Sequence, residues 1–193
     1  MYWWPCQICP AFMKKVFQYR FAEDDGPLAG HPLGNLIIAG ISEMQGSTYN
    51  AMQLLTKFFH TTGKIYPSSD TPLTLHAVFT DGTEVAGESE IAHHEGMIDY
   101  VYVTNTYNDE TPRASRKVVD AILESNLVVL GPGSLFTSIL PNLVIEEIGQ
   151  ALVETEADVA YVCNIMTQRG ETEHFTDSDH VSVLHKTLEE ALY

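Results

Sequence analysis

Short apolar runs alternate with helical patterns along the C-terminal part of the chain. The runs LVVLGPGS and ADVAYVCN have the length and composition of buried strands, whereas LVIEEIGQALVE and TDSDHVSVLHKTLEEAL repeat apolar residues with the helical period. Two consecutive strands that are joined through a helix pair in parallel through a right-handed crossover. The alternation therefore predicts an α/β fold with a mostly parallel sheet and helices on both faces.

An antiparallel hairpin is predicted upstream of this region. LTLHAVF and EVAGESEI have strand character on either side of an Asp-Gly tight turn at Thr80 to Thr83. IDYVYVT predicts a further strand, and PRASRKVVDAILES predicts a helix with Pro112 near its first turn. Further helices are predicted over residues 11–21, GHPLGNLIIAGISEM and YNAMQLLTKFFH, the last capped by Ser47. We expect a single domain over residues 1–193.

The charge balance of the chain excludes several classes of partner. Its 193 residues include 10 Lys and Arg against 26 Asp and Glu, a net charge of −16. So acidic a protein is not expected to bind nucleic acid or an anionic membrane. An anionic small molecule is compatible, because backbone N–H groups at a helix N-terminus hold anions without cationic side chains. No apolar run approaches the ~20 residues of a membrane span and no signal-peptide layout is present, which predicts a soluble cytoplasmic protein without membrane insertion.

The segment VLGPGSLFTSILPNL places a glycine-rich turn directly after a predicted buried strand. Ligands of open α/β sheets bind outside the carboxyl ends of the strands. Glycines there let the backbone approach a phosphate closely, and hydroxyl groups add donors. The alternative is a tight strand-to-helix turn in which Ser134 only caps the helix. The ligand-site interpretation assigns Gly131, Gly133, Ser134, Thr137 and Ser138.

A second polar segment, NIMTQRGETEHFTDSDH, follows the next predicted strand. Because the carboxyl ends of adjacent parallel strands meet at one edge of a sheet, both polar segments are expected to face the same crevice. Thr176 and Asp179 are interpreted as a helix cap, and His180 as either a ligand contact or a surface residue in the first helical turn. The ligand residues predicted here are Asn164, Thr167, Gln168, Gly170, Glu171 and Thr172.

The histidines elsewhere give weaker signals. GHPLGN brings His31 and Asn35 one turn apart at a helix start, which suits either a structural role or contact with an anion. His93 and His94 are adjacent and therefore point apart, so we interpret them as part of a solvated loop. No nucleophile–base motif and no metal-ligand spacing is recognisable, so we predict no metal site and assign no catalytic residue.

The combination of three stretches resembles a known family. GHPLGN, GPGSLFTSILPNL and CNIMTQRGET with DHV after it look like the gluconeogenesis factor family, the YvcK type of the superfamily that contains 2-phospho-L-lactate transferase. FQYRF, LTLHAVFTDGTEVAGESEI and the helix before GPGS are similar to the same family, so the resemblance covers residues 16–193. It implies a Rossmann-like three-layer α/β sandwich with an antiparallel hairpin excursion.

The resemblance also implies a function and a cytoplasmic location. The YvcK branch binds UDP-sugars and is linked to cell shape, wall synthesis and growth on gluconeogenic carbon sources, with no established reaction. The resemblance therefore favours a regulatory protein that binds a nucleotide or UDP-sugar at the residues named above. One alternative is a transferase of the 2-phospho-L-lactate type, which moves a phospholactyl group from a nucleotide-activated donor onto a deazaflavin with magnesium. Another is an inactive fragment.

Both ends of the chain depart from the family pattern. Family members begin with a strand and a GGGTG loop, carry an Asp-Asp-Gly-Gly stretch and end in further strands, none of which is present here. We expect the chain to be less stable than a longer form, because apolar sheet surface is left uncovered. An uncovered sheet edge also favours association, so a homo-oligomer is an alternative to a monomer.

The opening MYWWPCQICP resembles neither the family nor a thiol site. Cys6 and Cys9 are followed by Pro10, which blocks a helix start, and Cys163 is remote in the sequence. Back-translation with a shift of two bases forces the first four residues to Val-Leu-Val-Ala and allows Leu-Ser-Asp-Leu-Pro next, similar to what precedes FQYRF in the family. We therefore expect residues 1–15 to be a frame-shifted segment, disordered or loosely packed at its start, without metal or disulfide; resequencing the codons for residues 13–16 tests this.

Overall fold

The computed structural model describes residues 11–22, 24, 26–59 and 62–190. The chain divides into two compact units, a first unit up to Asp70 and a second unit from Thr71 onward, and whether they form one domain stays a prediction. The opening segment with Cys6 and Cys9 lies outside the described residues, so the frame-shift interpretation also stays a prediction.

The secondary structure follows the order α-helices, antiparallel strands, then alternating helices and strands. The helices are α1 (Ala11–Gln18), α2 (Leu33–Gln45), α3 (Thr48–Phe58), α4 (Glu88–His93), α5 (Arg116–Leu123), α6 (Leu140–Leu143), α7 (Glu146–Glu154) and α8 (Asp177–Glu190). The strands are β1 (Leu73–Phe79), β2 (Glu84–Ala86), β3 (Ile98–Asn105), β4 (Leu127–Leu130) and β5 (Asp158–Tyr161). A 3₁₀ turn occupies Gly26–Leu28, and a π-helical turn occupies Leu135–Ile139.

The first unit contains α1 to α3. Arg20 and Pro32 form an isolated antiparallel bridge, which folds the connection between α1 and α2 back on itself. The Asn50 N–H donates to the Ser47 hydroxyl at 3.3 Å, so the predicted cap of α3 is confirmed.

Within the part of the chain that the structure describes, no helix is long and apolar enough to cross a membrane.

The second unit begins with an antiparallel sheet in the order β2-β1-β3. The predicted hairpin is confirmed, because β1 pairs with β2 across the turn and Asp81 accepts a hydrogen bond from the Thr83 N–H at 2.8 Å. Ala77 lies opposite Val85 on β2 and Val101 on β3. The side chains of Ala77 and Val101 are buried in the core, as the period of two along a strand requires.

The second half of EVAGESEI is a helix, not a strand as predicted. The strand ends at Ala86, and Gly87 has a φ of +97°, a conformation that turns the backbone out of the sheet. The Gly87 N–H then donates to the Leu75 carbonyl at 2.8 Å, and α4 follows directly. Ile91 on α4 is buried in the core, so burial of one apolar face holds this short helix in place.

The start of α5 also differs from the prediction. Pro112 was expected near the first turn, but the helix begins at Arg116 after Ser115. The reason lies outside the local sequence. The Glu147 carboxylate of α7 accepts hydrogen bonds from the Arg113 guanidinium at 3.0 Å and from the Ala114 N–H at 3.2 Å. These contacts hold the residues after Pro112 in an extended segment.

The strands β4 and β5 pair in parallel, with Leu127 opposite Asp158 and Leu130 opposite Tyr161. Helix α7 lies between them in sequence, so the predicted strand–helix–strand unit and the α/β class are confirmed. In the described residues the parallel pairing is confined to this pair, and the hairpin region contributes a three-stranded antiparallel sheet. The short turn between β1 and β2 requires antiparallel pairing, and β3 pairs antiparallel on the other side of β1.

The core of the second unit lies between the two sheets' apolar faces and the helices. The π-helical turn and α6 supply several of its most buried side chains, among them Leu135, Phe136 and Leu140, each 1% exposed. On β4, Val128 and Leu130 pack against this core, whereas Leu127 and Val129 are 55% and 49% exposed. The core therefore fixes the C-terminal end of β4 and the turn that follows it, where the candidate site lies.

Candidate functional site

The turn after β4 brings the backbone of the first polar loop against the end of β5. Gly131 has a φ of +98°, and a Cβ placed on it would lie 3.0 Å from the Val162 carbonyl oxygen. Any other residue at this position would have a strained backbone conformation, and its Cβ would crowd the backbone just after β5. The glycine therefore permits the ends of β4 and β5 to approach each other closely.

Ser134 opens the π-helical turn but does not cap it with its side chain. Its carbonyl oxygen accepts hydrogen bonds from the N–H groups of Ser138 and Ile139, both at 3.0 Å. The hydroxyl group makes no capping hydrogen bond. Ser134 therefore occupies the N-cap position without a side-chain cap, and the choice between a ligand site and a structural turn stays a prediction. π-helical turns of this kind occur frequently at functional sites.

The Ser134 hydroxyl instead joins the two polar loops. It lies 2.7 Å from Gln168 Nε2 and 2.9 Å from Gln168 Oε1. The Asn164 side chain adds a second link, because its Nδ2 donates to the Gly133 carbonyl at 3.0 Å. The expected convergence of the two loops is thus confirmed, while ligand binding by these residues stays a prediction.

A third link joins Thr137 and Glu171. The Thr137 hydroxyl donates to Glu171 Oε1 at 3.2 Å. The other carboxylate oxygen, Oε2, is buried and has no hydrogen-bond partner among the described residues. Burial raises the pKa of Glu171, and hydrogen bonds from the Thr137 and Ser134 hydroxyls and the Phe136 N–H oppose part of that rise. A buried carboxylate oxygen without a partner is costly unless a ligand or a proton satisfies it.

The remaining predicted residues of the second unit have different environments. Thr172 is 2% exposed, and its hydroxyl accepts from the Gln168 N–H at 3.0 Å, so it stabilises the loop. Its role as a ligand residue stays a prediction. Ser138 and Thr167 have exposed side chains. Gly170 has a φ of +81° and lies close to the carbonyl oxygens of the segment after α4.

A partly open cavity of about 320 Å³ lies at this contact, beside the second loop. Its lining residues come from α4, the residue after it and the loop after β5: Ile91, Ala92, His94, Gln168, Arg169, Gly170 and Glu171. His94 and Arg169 were not assigned to the site from the sequence. His93 and His94 were expected in a solvated loop, but His93 ends α4 and the His94 ring packs 4.2 Å from the Phe79 ring. No sequence motif predicts this contact, because it arises from tertiary packing.

His180 is buried, so its interpretation as a surface histidine is wrong, while contact of this residue with a ligand stays a prediction. It is 3% exposed in the first turn of α8, and its Nδ1 lies 2.9 Å from the Tyr161 hydroxyl oxygen. Burial raises the pKa of Tyr161 to about 12. The predicted cap at the same helix start is confirmed, since the Thr176 N–H donates to the Asp179 carboxylate at 2.7 Å.

His31 and Asn35 lie in the first unit, and both are exposed. Pro32 is the N-cap of α2, so His31 precedes the helix. The expected placement of His31 and Asn35 on one helical face is therefore wrong. The His31 N–H donates to the Leu28 carbonyl at 3.0 Å and closes the 3₁₀ turn.

The described residues do not fit a metal site. Among them, no group of three or more His, Cys, Asp or Glu side chains could hold a metal ion. Cys163 is a free cysteine whose sulfur lies 3.9 Å from the Asp177 carboxylate. Magnesium, which the transferase alternative implies, stays a prediction, because this ion also binds through one or two carboxylates together with phosphates of a ligand.

Comparison with known proteins gives consistent similarities. A protein of Streptococcus pneumoniae named "Putative gluconeogenesis factor" is 79% identical over 179 residues, which cover 93% of this chain and 55% of that protein. The gluconeogenesis factor of Bacillus subtilis is 39% identical over 176 residues, 91% of this chain and 54% of that protein. The chain spans about half the length of the curated relatives it matches. The expected resemblance to gluconeogenesis factors is confirmed.

Solved structures and a family model agree with this. A crystal structure of a Bacillus halodurans protein superposes with a TM-score of 0.84 at 36% identity, covering 94% of this chain and 57% of that one. A second structure, described as a UPF0052 family member from the same organism, gives 0.83 at 35% identity over 93% of this chain and 56% of that one. The model of the 2-phospho-L-lactate transferase CofD family matches residues 8–193. A match over so much of the sequence shows that this chain belongs to the CofD family.

Proposed function

We propose that this chain carries the ligand site of a cytoplasmic regulatory protein of the gluconeogenesis factor type, which binds a nucleotide sugar of the UDP class. The observation that supports it best is the set of hydrogen bonds between the loops after β4 and β5. These bonds assemble Ser134, Asn164 and Gln168 at the carboxyl ends of two adjacent parallel strands. Ligands of open α/β sheets bind at this edge.

The chemistry of the loops suits such a ligand. Gly131 lets the backbone come close to a phosphate, and Ser138 and Thr167 present exposed hydroxyl groups. Sugar hydroxyls need both donors and acceptors, which the amide side chains and Glu171 provide. The relatives named above carry the gluconeogenesis factor name, and we extend that role, with its links to cell shape, wall synthesis and gluconeogenic growth, to this chain.

Isothermal titration calorimetry with UDP-N-acetylglucosamine tests the proposal. The chain and the full-length S. pneumoniae relative are titrated in parallel, with uridine as the ligand control. We expect saturable binding of the nucleotide sugar by both proteins. Binding by the relative alone would make this chain an inactive fragment, and binding by neither would contradict the proposal.

A transferase is the second candidate, because the matching family model is described as 2-phospho-L-lactate transferase. The reaction would transfer a phospholactyl group from a nucleotide-activated donor to a deazaflavin. Glu171, whose pKa is raised by burial and which lies beside the Thr137 hydroxyl, is the titratable group at the predicted site. Turnover of a deazaflavin acceptor, with no binding of UDP-N-acetylglucosamine, would favour this candidate.

A further inference from the structure

The cavity beside the second loop contains two opposite charges that do not pair with each other. Arg169 and Glu171 both line it and are separated only by Gly170. Arg169 forms no ion pair with any carboxylate in the part of the chain that the structure describes, and Glu171 Oε2 has no hydrogen-bond partner there. Arg169 is therefore available to a ligand that enters the cavity, and Glu171 Oε2 keeps capacity to accept a hydrogen bond, with the Ser134 hydroxyl and the Phe136 N–H lying close to the same carboxylate.

Arg169 has no carboxylate partner among the described residues, although acidic residues outnumber basic ones in this chain. The chain has 26 Asp and Glu residues and 10 Lys and Arg residues, so carboxylates are in excess over cationic side chains. Arg113, for comparison, pairs with Glu147 at 3.0 Å. The planar fork of an arginine matches two oxygens of a phosphate, which makes Arg169 suited to bind a phosphorylated ligand.

His94 lines the same cavity from another part of the sequence. Its ring is half-buried and packs 4.2 Å from the Phe79 ring, which restricts its position in the cavity wall. Gly170 packs against this segment, since a Cβ placed on it would lie 3.7 Å from the His94 carbonyl oxygen and 3.5 Å from that of Gly96. The loop with Arg169 and the segment with His94 thus form two walls of one cavity.

We propose that Arg169 and His94 form an anion subsite that holds a phosphate group of the bound nucleotide sugar, while Glu171 accepts a hydrogen bond from a hydroxyl group of the same ligand. The inference rests on the proposed function and adds the position of the phosphate. The ligand class is a sugar or nucleoside that carries both phosphate and free hydroxyl groups. Gln168 connects this subsite to Ser134 and hence to the loop after β4.

The variants Arg169→Gln and His94→Gln test the subsite in the complete chain. Calorimetry with UDP-N-acetylglucosamine is expected to show about a 10- to 100-fold loss of affinity for Arg169→Gln and a smaller loss for His94→Gln. Uridine, which has no phosphate, is expected to bind all variants alike. The matched controls are Arg116→Gln, an exposed arginine on α5, and His93→Gln, the exposed neighbour of His94. Unchanged affinity of Arg169→Gln, or an equal loss for uridine, would overturn the inference.

A second readout separates this inference from the proposed function. Sodium pyrophosphate is added to the wild-type chain while the imidazole signals of His94 are followed by NMR, with His94→Gln for assignment. We expect a saturable shift that Arg169→Gln abolishes and Arg116→Gln keeps. If that shift occurs but UDP-N-acetylglucosamine does not bind, the subsite stands and the proposed function fails. If the nucleotide sugar binds and Arg169→Gln does not change its affinity, the proposed function stands and the subsite fails. If neither the NMR shift nor nucleotide-sugar binding is observed, both the subsite and the proposed function are overturned.

Discussion

The Ser134 hydroxyl lies 2.7 Å from the Gln168 side-chain nitrogen and so connects the loop after β4 with the loop after β5. The two residues are 34 positions apart in sequence, and parallel pairing of β4 and β5 brings them together. A polar contact between loops at the edge of a parallel sheet limits the shape of the crevice that a ligand enters.

Removing this hydrogen bond should lower the affinity for the ligand more than it lowers the free energy of unfolding. We expect Ser134→Ala and Gln168→Ala each to lower the affinity for UDP-N-acetylglucosamine by about 5- to 30-fold, because a hydrogen-bonded partner is worth on the order of 1–2 kcal/mol. The double variant should lose less than the sum of the two single losses. Ser182→Ala is the control, since its hydroxyl donates to the Ser178 carbonyl of its own helix. Fully additive losses in the calorimetric cycle would show that the two side chains act independently.

Gly131 is expected to be intolerant of a side chain for two separable reasons. Gly131→Ala combines a positive φ, which costs an L-residue about 1–2 kcal/mol, with a 3.0 Å contact to the Val162 carbonyl oxygen. Gly82→Ala isolates the first cost, because Gly82 has a φ of +85° and no atom within 4 Å of the added Cβ.

Urea unfolding of the two glycine variants checks this. We expect both to be destabilised and Gly131→Ala to be the less stable of the two. Equal losses would mean that the ends of β4 and β5 move apart at no cost, and that the close approach does not constrain the site.

The sequence predicted those parts of the site that depend on local period and on strand ends. LVVL and the strand before NIMTQ are short apolar runs, and the polar residues that follow them must lie at the carboxyl ends of the strands. Parallel pairing then brings Ser134 next to Gln168 without any knowledge of side-chain packing. The hairpin around Asp81 was predictable for the same reason, because its turn residues are adjacent in sequence.

The parts that could not be predicted depend on contacts between distant segments. His94 lines the cavity with Arg169 because the residues after α4 pack against the loop after β5, more than seventy positions away in sequence. The start of α5 depends on Glu147, which binds the Ala114 N–H from another helix. Neither contact leaves a periodic or motif signal in the sequence, so helix propensity and spacing gave the wrong environment for both.

The buried pair of Tyr161 and His180 predicts a stability effect outside the ligand site. Tyr161→Phe removes the hydroxyl that lies 2.9 Å from His180 Nδ1 and leaves a buried ring nitrogen without its partner. We expect a loss of about 1–3 kcal/mol in the free energy of unfolding. Tyr107→Phe, at a position that is 83% exposed, should change it by less than about 0.5 kcal/mol.

An absorbance titration measures the pKa of Tyr161 and so tests the burial of the Tyr161–His180 pair independently. Because burial raises the pKa of Tyr161 to about 12, its tyrosinate should form at higher pH than those of exposed tyrosines. The difference between the wild-type and Tyr161→Phe titration curves isolates this group. A normal tyrosine pKa in that difference, together with an unchanged unfolding free energy, would show that the pair is open to solvent.

Glu171 predicts a dependence of stability on pH. Burial raises its pKa in the folded chain above the ordinary value of 4.5, and the Glu88 carboxylate acts in the same direction, whereas the Thr137 hydrogen bond opposes the shift. Between 4.5 and the raised pKa the folded state binds more protons than the unfolded state. The contribution of Glu171 to stability is therefore fully present below pH 4.5 and is lost as the pH rises through the folded pKa.

The variant Glu171→Gln removes this titration while keeping an oxygen for the Thr137 hydroxyl. Urea unfolding is measured from pH 4 to pH 8 for the wild-type chain and the variant. We expect the variant to gain stability relative to the wild type as the pH rises, with the difference becoming constant above the folded pKa. Glu173→Gln, which changes an exposed carboxylate in the same segment, should show no such gain. A difference between wild type and Glu171→Gln that is the same at every pH would mean that the Glu171 carboxylate is solvated in the folded protein, and that its Oε2 needs no ligand to satisfy it.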